Sequence, residues 1–169
     1  MTRERIVSSE HLVSAQAAEL SEYEYGLIVA GNAFNRWMVR CMAVAGYPDF
    51  NATDVLVLHT VNHRGREKRL NDIGFTLNID DAHIVNYALK KLLKAGLVSA
   101  QKRGKERFYR TTERGREVCQ RYREVREACL VDAFAAVGPA EKGAVSDAAQ
   151  RLRALSGLYD QAARSATSY

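Results

Sequence analysis

Cations and hydrogen-bonding side chains crowd the middle of this chain. Between residues 64 and 110 stand twelve Lys or Arg (Arg64, Arg66, Lys68, Arg69, Lys90, Lys91, Lys94, Lys102, Arg103, Lys105, Arg107 and Arg110) against five acids, Glu67, Asp72, Asp80, Asp81 and Glu106. That stretch carries +7, whereas the whole chain carries +5, so the rest is slightly acidic. Such a concentration suits an anionic partner, and no strongly apolar face accompanies it to favour a membrane surface. Nucleic acid is the partner expected. Among these cations His83, Asn86 and Tyr87 recur at helical spacing, and an asparagine amide presents the paired donor and acceptor that an adenine edge requires. These three residues are candidates for base readout. Arg69, Lys90, Lys91, Lys94, Lys102, Arg103, Lys105 and Arg107 are candidates for phosphate and groove contacts, which position a protein without reading sequence.

Other chemistry is less well represented. His59 and His63 are four apart and could face one metal ion, but no third ligand adjoins them, so no metal site and no cofactor are expected. Cys41, Cys119 and Cys129 form neither an even set nor a close pair, and each falls on an apolar helical stripe, which suggests small core side chains in a reducing compartment. The chain has no glycine-rich phosphate loop, no Gly-x-Ser-x-Gly elbow and no paired catalytic carboxylate motif. It is not expected to be an enzyme.

The elements that position the cations can be read outward from them. Asp80 or Asp81 caps a helix in which Val85, Ala88, Leu89 and Leu92 point inward, leaving His83, Asn86, Tyr87, Lys90, Lys91 and Lys94 outside, and Gly96 ends it as the C′ residue. Before it, Leu70, Ile73 and Leu77 share one face of a short helix from Arg69 to Leu77, and Asn78-Ile79 makes the turn between the two. Asn51-Ala52-Thr53-Asp54 is an N-cap that argues for a helix over the strand-prone Val55-Leu56-Val57-Leu58. After Gly96, residues 97–102 and 107–111 flank the polar turn Arg103-Gly104-Lys105-Glu106 and read as a hairpin with a basic tip. Helix, short helix, turn, helix and hairpin in this order make a winged helix-turn-helix, whose second helix enters the DNA major groove.

Long helices flank this module. Tyr23, Leu27, Ala30, Phe34, Trp37 and Cys41 alternate steps of four and three between Glu19 and Ala45, as do Val118, Tyr122, Val125 and Cys129 after Thr112, and Val145, Ala148, Leu152, Leu155, Tyr159 and Ala162 after Gly138-Pro139. A module so small cannot bury three such stripes, so packing between two copies of the chain is expected. The fold class is therefore mainly α with a small β-hairpin wing. The expected organisation is an N-terminal arm (1–18), a dimerisation helix (19–47), a DNA-binding module (48–112) and C-terminal dimerisation helices (113–169). No run is long and apolar enough to span a membrane, and Met-Thr-Arg-Glu-Arg opens the chain without an apolar signal core, which suggests the cytoplasm.

The sequence resembles the MarR family of transcriptional regulators. Leu89-Lys90-Lys91-Leu92-Leu93-Lys94-Ala95-Gly96-Leu97-Val98 is similar to the end of that family's recognition helix and its turn into the wing, and Thr111-Thr112-Glu113-Arg114-Gly115 is similar to its Leu-Thr-x-x-Gly entry into the next helix. The resemblance implies a homodimer that binds double-stranded DNA at a pseudo-palindromic operator. It further implies a small-molecule effector crevice between the dimerisation helices and the winged helix, which Tyr23, Trp37, His59 and Tyr122 would line. Two features depart from the family pattern: Arg103-Gly104-Lys105 stands where family wings carry Asp-x-Arg, and Asp80-Asp81-Ala82-His83 replaces a serine- and threonine-rich opening. The two acids leave open a second reading, a winged-helix adaptor for protein partners.

Overall fold

A computed structural model describes residue 7 and residues 10–14, 16–136 and 138–169. Half of the proposed N-terminal arm thus lies outside the described residues. The chain divides into two compact units, 1–125 and 126–169. The first contains α1 (Ala18–Val44), α2 (Ala52–Asn62), β1 (Lys68–Arg69), α3 (Leu70–Leu77), α4 (Ala82–Lys94), β2 (Val98–Arg103), β3 (Glu106–Thr111) and nearly all of α5 (Glu113–Arg126). The second holds α6 (Asp132–Ala135) and the 28-residue α7 (Pro139–Ala166). No described helix is long and apolar enough to cross a membrane.

Local chemistry explains where the helices begin. Asn51 Oδ1 accepts from the Asp54 N–H and Asp54 Oδ2 accepts from the Asn51 N–H, both at 2.9 Å, a reciprocal cap that turns the strand-prone valines and leucines into α2. One half of this arrangement recurs at α3, where Asp72 Oδ2 accepts from the Arg69 N–H at 3.0 Å. Asp81 caps α4 by accepting from the His83 N–H at 2.8 Å. Asn78, in the left-handed region at φ 53°, ends α3 and makes the turn into α4.

The core forms where these elements meet. Val55, Val57, Leu58 and Val61 of α2, Ile73 of α3 and Val85, Ala88, Leu89 and Leu92 of α4 are all at most 1 % exposed. They are joined by Met38, Cys41 and Met42 of α1 and by Val118, Cys119 and Tyr122 of α5. Burying each large aliphatic side chain contributes on the order of 1.5–3 kcal/mol, and this cluster fixes the angle between α2 and α4. Residues 113–125, expected with the C-terminal helices, pack here with the winged helix through these α5 side chains.

Three strands form one antiparallel sheet in the order β1-β3-β2. Val98 pairs with Thr111 and Arg103 with Glu106, leaving Gly104-Lys105 as a two-residue loop, tighter than the four-residue turn expected from sequence. Gly104 supplies the positive φ of 61° that such a loop needs at its first position. The Thr112-x-x-Gly115 motif has an equally local cause. Thr112 Oγ1 donates to the Gly96 carbonyl at 2.7 Å and accepts from the Gly115 N–H at 3.1 Å, so one hydroxyl joins the end of α4 to the start of α5. A Cβ on Gly115 would lie 2.1 Å from the Leu97 carbonyl oxygen and 2.6 Å from Thr111 Cγ2.

Cys129 departs from its expected core position. Cys41 and Cys119 are buried, but Cys129 is exposed in the π-helical turn Glu127–Val131 between α5 and α6. A π turn inserts an extra residue and rotates everything after it by about 100° relative to a continuous helix, so the regular stripe cannot extend through it. Burial pushes the Cys119 thiol up to about 11, so that sulfur is a packed apolar group at neutral pH.

The Gly115 contact separates two substitutions of one kind. Gly115→Ala is expected to lower stability by about 1–3 kcal/mol or more, because backbone oxygen cannot move aside. Gly143→Ala, in a helix and with nothing within 4 Å, should raise it by about 0.5–1 kcal/mol. Urea denaturation of both variants checks the pair.

Candidate nucleic-acid interface

The exposed side of α4 and the hairpin wing carry the candidate contacts. His83 and Tyr87 are exposed near the start of α4, and Asn86 beside them is half-buried. Lys90 and Lys94 are exposed further along. Asp81, an acid where phosphates would approach, is held in place as the helix cap.

Lys91 departs from the phosphate contact expected of it. Its ammonium lies 2.7 Å from Asp54 Oδ2 and 2.6 Å from the Asp49 carbonyl oxygen, and 4.9 Å from the centroid of the Phe50 ring. Asp54 is fully buried, with a side-chain exposure of 1 %. Lys91 therefore ties α4 to the capped end of α2, and its charge is occupied within the fold.

Arg69 and Arg103 differ from expectation in a similar way. Arg69 makes paired bonds to Asp72 and reaches across to Glu106 Oε1 at 3.0 Å, while Arg103 meets Glu67 at 2.8 Å and stacks on Phe108 with 5.0 Å to the ring centroid. Each bridge joins the segment around β1 to the hairpin, so the two together brace the wing that lacks Asp-x-Arg. The carboxylates of Asp72 and Glu106 hold the Arg69 guanidinium firmly protonated, and Arg69 in turn lowers the Asp72 carboxyl. Lys68 is another internal cation: its ammonium donates to the carbonyls of His63 at 2.7 Å and Arg66 at 3.1 Å, fastening the loop after α2. Among the described residues, Lys90, Lys94, Lys102, Lys105 and Arg107 make no such ion pair or hydrogen bond and remain available to an external anion.

Of the four aromatic residues assigned to a crevice, the structure brings His59 and Tyr122 together, edge to face with 4.5 Å between centroids. His59 also borders a cleft of about 310 Å³ with Leu56, Thr60, His63, Lys68 and Thr76. Its Nε2 is buried without a partner, and burial lowers its pKa below the ordinary 6.5. Trp37 is half-buried against the core, and the hydroxyl of Tyr23 on α1 is buried without a hydrogen bond. No group of three metal-ligating side chains gathers among the described residues.

Two measurements follow from these placements. Lys91→Met leaves a buried carboxylate without its cation and should cost about 3–5 kcal/mol in urea denaturation, much of it recovered when Asp54→Asn is added. For His59, the unfolded chain takes up a proton near pH 6.5 while the folded chain resists it, so stability should fall as pH drops below about 6.5. His59→Phe, which keeps a ring against Tyr122, should flatten that part of the stability profile.

Comparison with known proteins agrees with this geometry. Residues 50–115 match the family described as winged helix DNA-binding domain. No curated protein sequence matches significantly. Solved structures with a similar fold include a MarR family regulator from Neisseria meningitidis (20 % identity, TM-score 0.64, covering 88 % of this chain and 96 % of that one). Another is reduced AbfR bound to DNA, at 19 % identity and TM-score 0.66, covering 83 % and 96 %. BpsR from Bordetella bronchiseptica, whose DNA binding is regulated by 6-hydroxynicotinic acid, aligns at 20 % identity and TM-score 0.54, covering 73 % and 98 %. Residues 50–115 are thus similar to a winged helix DNA-binding domain, set in a chain with the fold of the MarR-family regulators.

Proposed function

We propose that this chain is a cytoplasmic transcriptional regulator that binds double-stranded DNA as a homodimer, placing α4 of each copy in the major groove of one half of a pseudo-palindromic operator. The observation that carries this reading is the exposed face of α4, with His83, Asn86 and Tyr87 near its start and Lys90 and Lys94 beyond, next to a wing whose Lys102, Lys105 and Arg107 have no internal anion. A rigid wing aims those cations, since the bridges Arg69–Glu106 and Arg103–Glu67 tie the two residues flanking its loop to the segment around β1. Asp81 has a local task as a helix cap, so its charge does not call for a protein partner.

Exposed apolar side chains support the dimer. On α1, Leu20, Ile28, Val29 and Phe34 face solvent, and on α7 so do Val145, Leu152 and Leu158. A 28-residue helix with exposed apolar side chains such as Val145 and Leu152, two turns apart on one side, gains its stability by packing, and a second copy supplies a matching surface. A small-molecule effector acting near Tyr23, Trp37, His59 and Tyr122 would control the regulator, as 6-hydroxynicotinic acid does for BpsR. The unpartnered Tyr23 hydroxyl and His59 Nε2 offer it hydrogen bonds.

Duplexes recovered from a random library by the purified protein test the reading. Binding is expected to weaken steeply between 50 and 200 mM salt, by about 10³-fold or more for six or more phosphate contacts. Asn86→Ala should relax sequence preference, while Lys90→Ala should weaken all duplexes alike. Failure to enrich any duplex, or salt-independent binding, overturns the proposal, and sedimentation as a monomer overturns its dimeric part.

A further inference from the structure

The outer face of α4 carries one side chain that neither packing nor hydrogen bonding accounts for. Ile84 is 46 % exposed, although the next residue, Val85, is fully buried. It is the exposed branched aliphatic of α4, where the other exposed positions from 83 onward are His83, Tyr87, Lys90 and Lys94. Helix propensity offers no reason for it, because an exposed β-branched residue is less favourable there than Ala or Lys. Tyr87, one turn on, is 67 % exposed, so two apolar bodies stand side by side. With Thr53 and Asn51 from the start of α2 and His83 from α4, they wall an open cleft of about 380 Å³.

Resting on the DNA-binding reading above, we infer that Ile84, backed by Tyr87, determines specificity by packing against the C5-methyl group of a pyrimidine in the major groove. Three observations converge on this occupant. Ile84 is the third residue of α4 after the Asp81 cap, in the end of the helix that reaches base edges in helix-turn-helix proteins. Its side chain has no donor or acceptor, and the C5-methyl is the apolar group that a major-groove edge displays. Lys90 and Lys94 on the same helix and the wing cations draw a polyanion to this side of the domain, which disfavours an uncharged apolar partner. The cleft gives the methyl a surface from which water is displaced, and burying one methyl accounts for about a fourfold preference.

The test uses the full chain and an operator selected from a random library. Each thymine is replaced singly by deoxyuridine, which removes the methyl and leaves every hydrogen-bonding group. One position per half-site should lose about fourfold in affinity with the wild-type chain. Ile84→Ala should bind both duplexes equally, and Ile84→Val should keep most of the preference. Replacing that thymine by cytosine or 5-methylcytosine, opposite guanine, separates the sources of the methyl: tighter binding to the methylated base shows readout of the methyl itself. Neutral deoxyuridine at every position together with no effect of 5-methylcytosine overturns the inference, as does a preference that survives Ile84→Ala. Those results would leave a selected operator in hand, so the DNA-binding reading would still stand. If no operator is selected, that reading fails as well.

Discussion

The face that α4 turns outward rests on one inward contact, the buried pairing of Asp54 with Lys91. A carboxylate with almost no exposure to water is tolerable only with a cation beside it, and the lysine that supplies the charge belongs to α4. Asp54 also accepts from the Asn51 backbone, so a single carboxylate starts α2 and anchors α4. Hydrophobic packing between Val55, Leu58, Val85 and Leu89 is strong but has little directional preference. The ion pair adds a directional tie between the start of α2 and α4, whose packed face leaves His83, Ile84 and Tyr87 outward.

The basic character of the domain therefore serves two purposes. Lys68, Arg69, Lys91 and Arg103 bond to carbonyls and carboxylates within the fold and hold a loop, a wing and a helix in place. Lys90, Lys94, Lys102, Lys105 and Arg107 are left to meet an external anion. Summed charge overstates what a phosphate backbone would encounter, and orientation matters as much as quantity.

What could be read from the sequence follows how far apart the interacting residues lie. The Asn51 and Asp54 cap, the Asn78 turn, Gly96 at the end of α4 and Thr112 with Gly115 each depend on contacts within a few residues or on backbone conformation, and all are visible as short patterns. Order of elements then implied the winged helix. The acidic partners of Lys91 and Arg103 are 37 and 36 residues away, so no local pattern shows that these cations are taken, and Arg69 adds the distant Glu106 to its neighbour Asp72. Ile84 is absent from the residues singled out by sequence for a different reason: on a periodic helix it lies at the border of the apolar stripe, and only the packed core decides which way it faces. The stripe through Cys129 failed because helical periodicity assumes an unbroken helix, and a π turn interrupts this one.

Gly115 has a mechanical consequence. With the first turn of α5 seated against the Leu97 carbonyl and Thr112 bridging to Gly96, there is no compliant layer between that helix and the strand leading into the wing. A displacement of the start of α5 would therefore press directly on the start of β2, and the bridges at Arg103 and Glu106 would carry it on to the segment around β1.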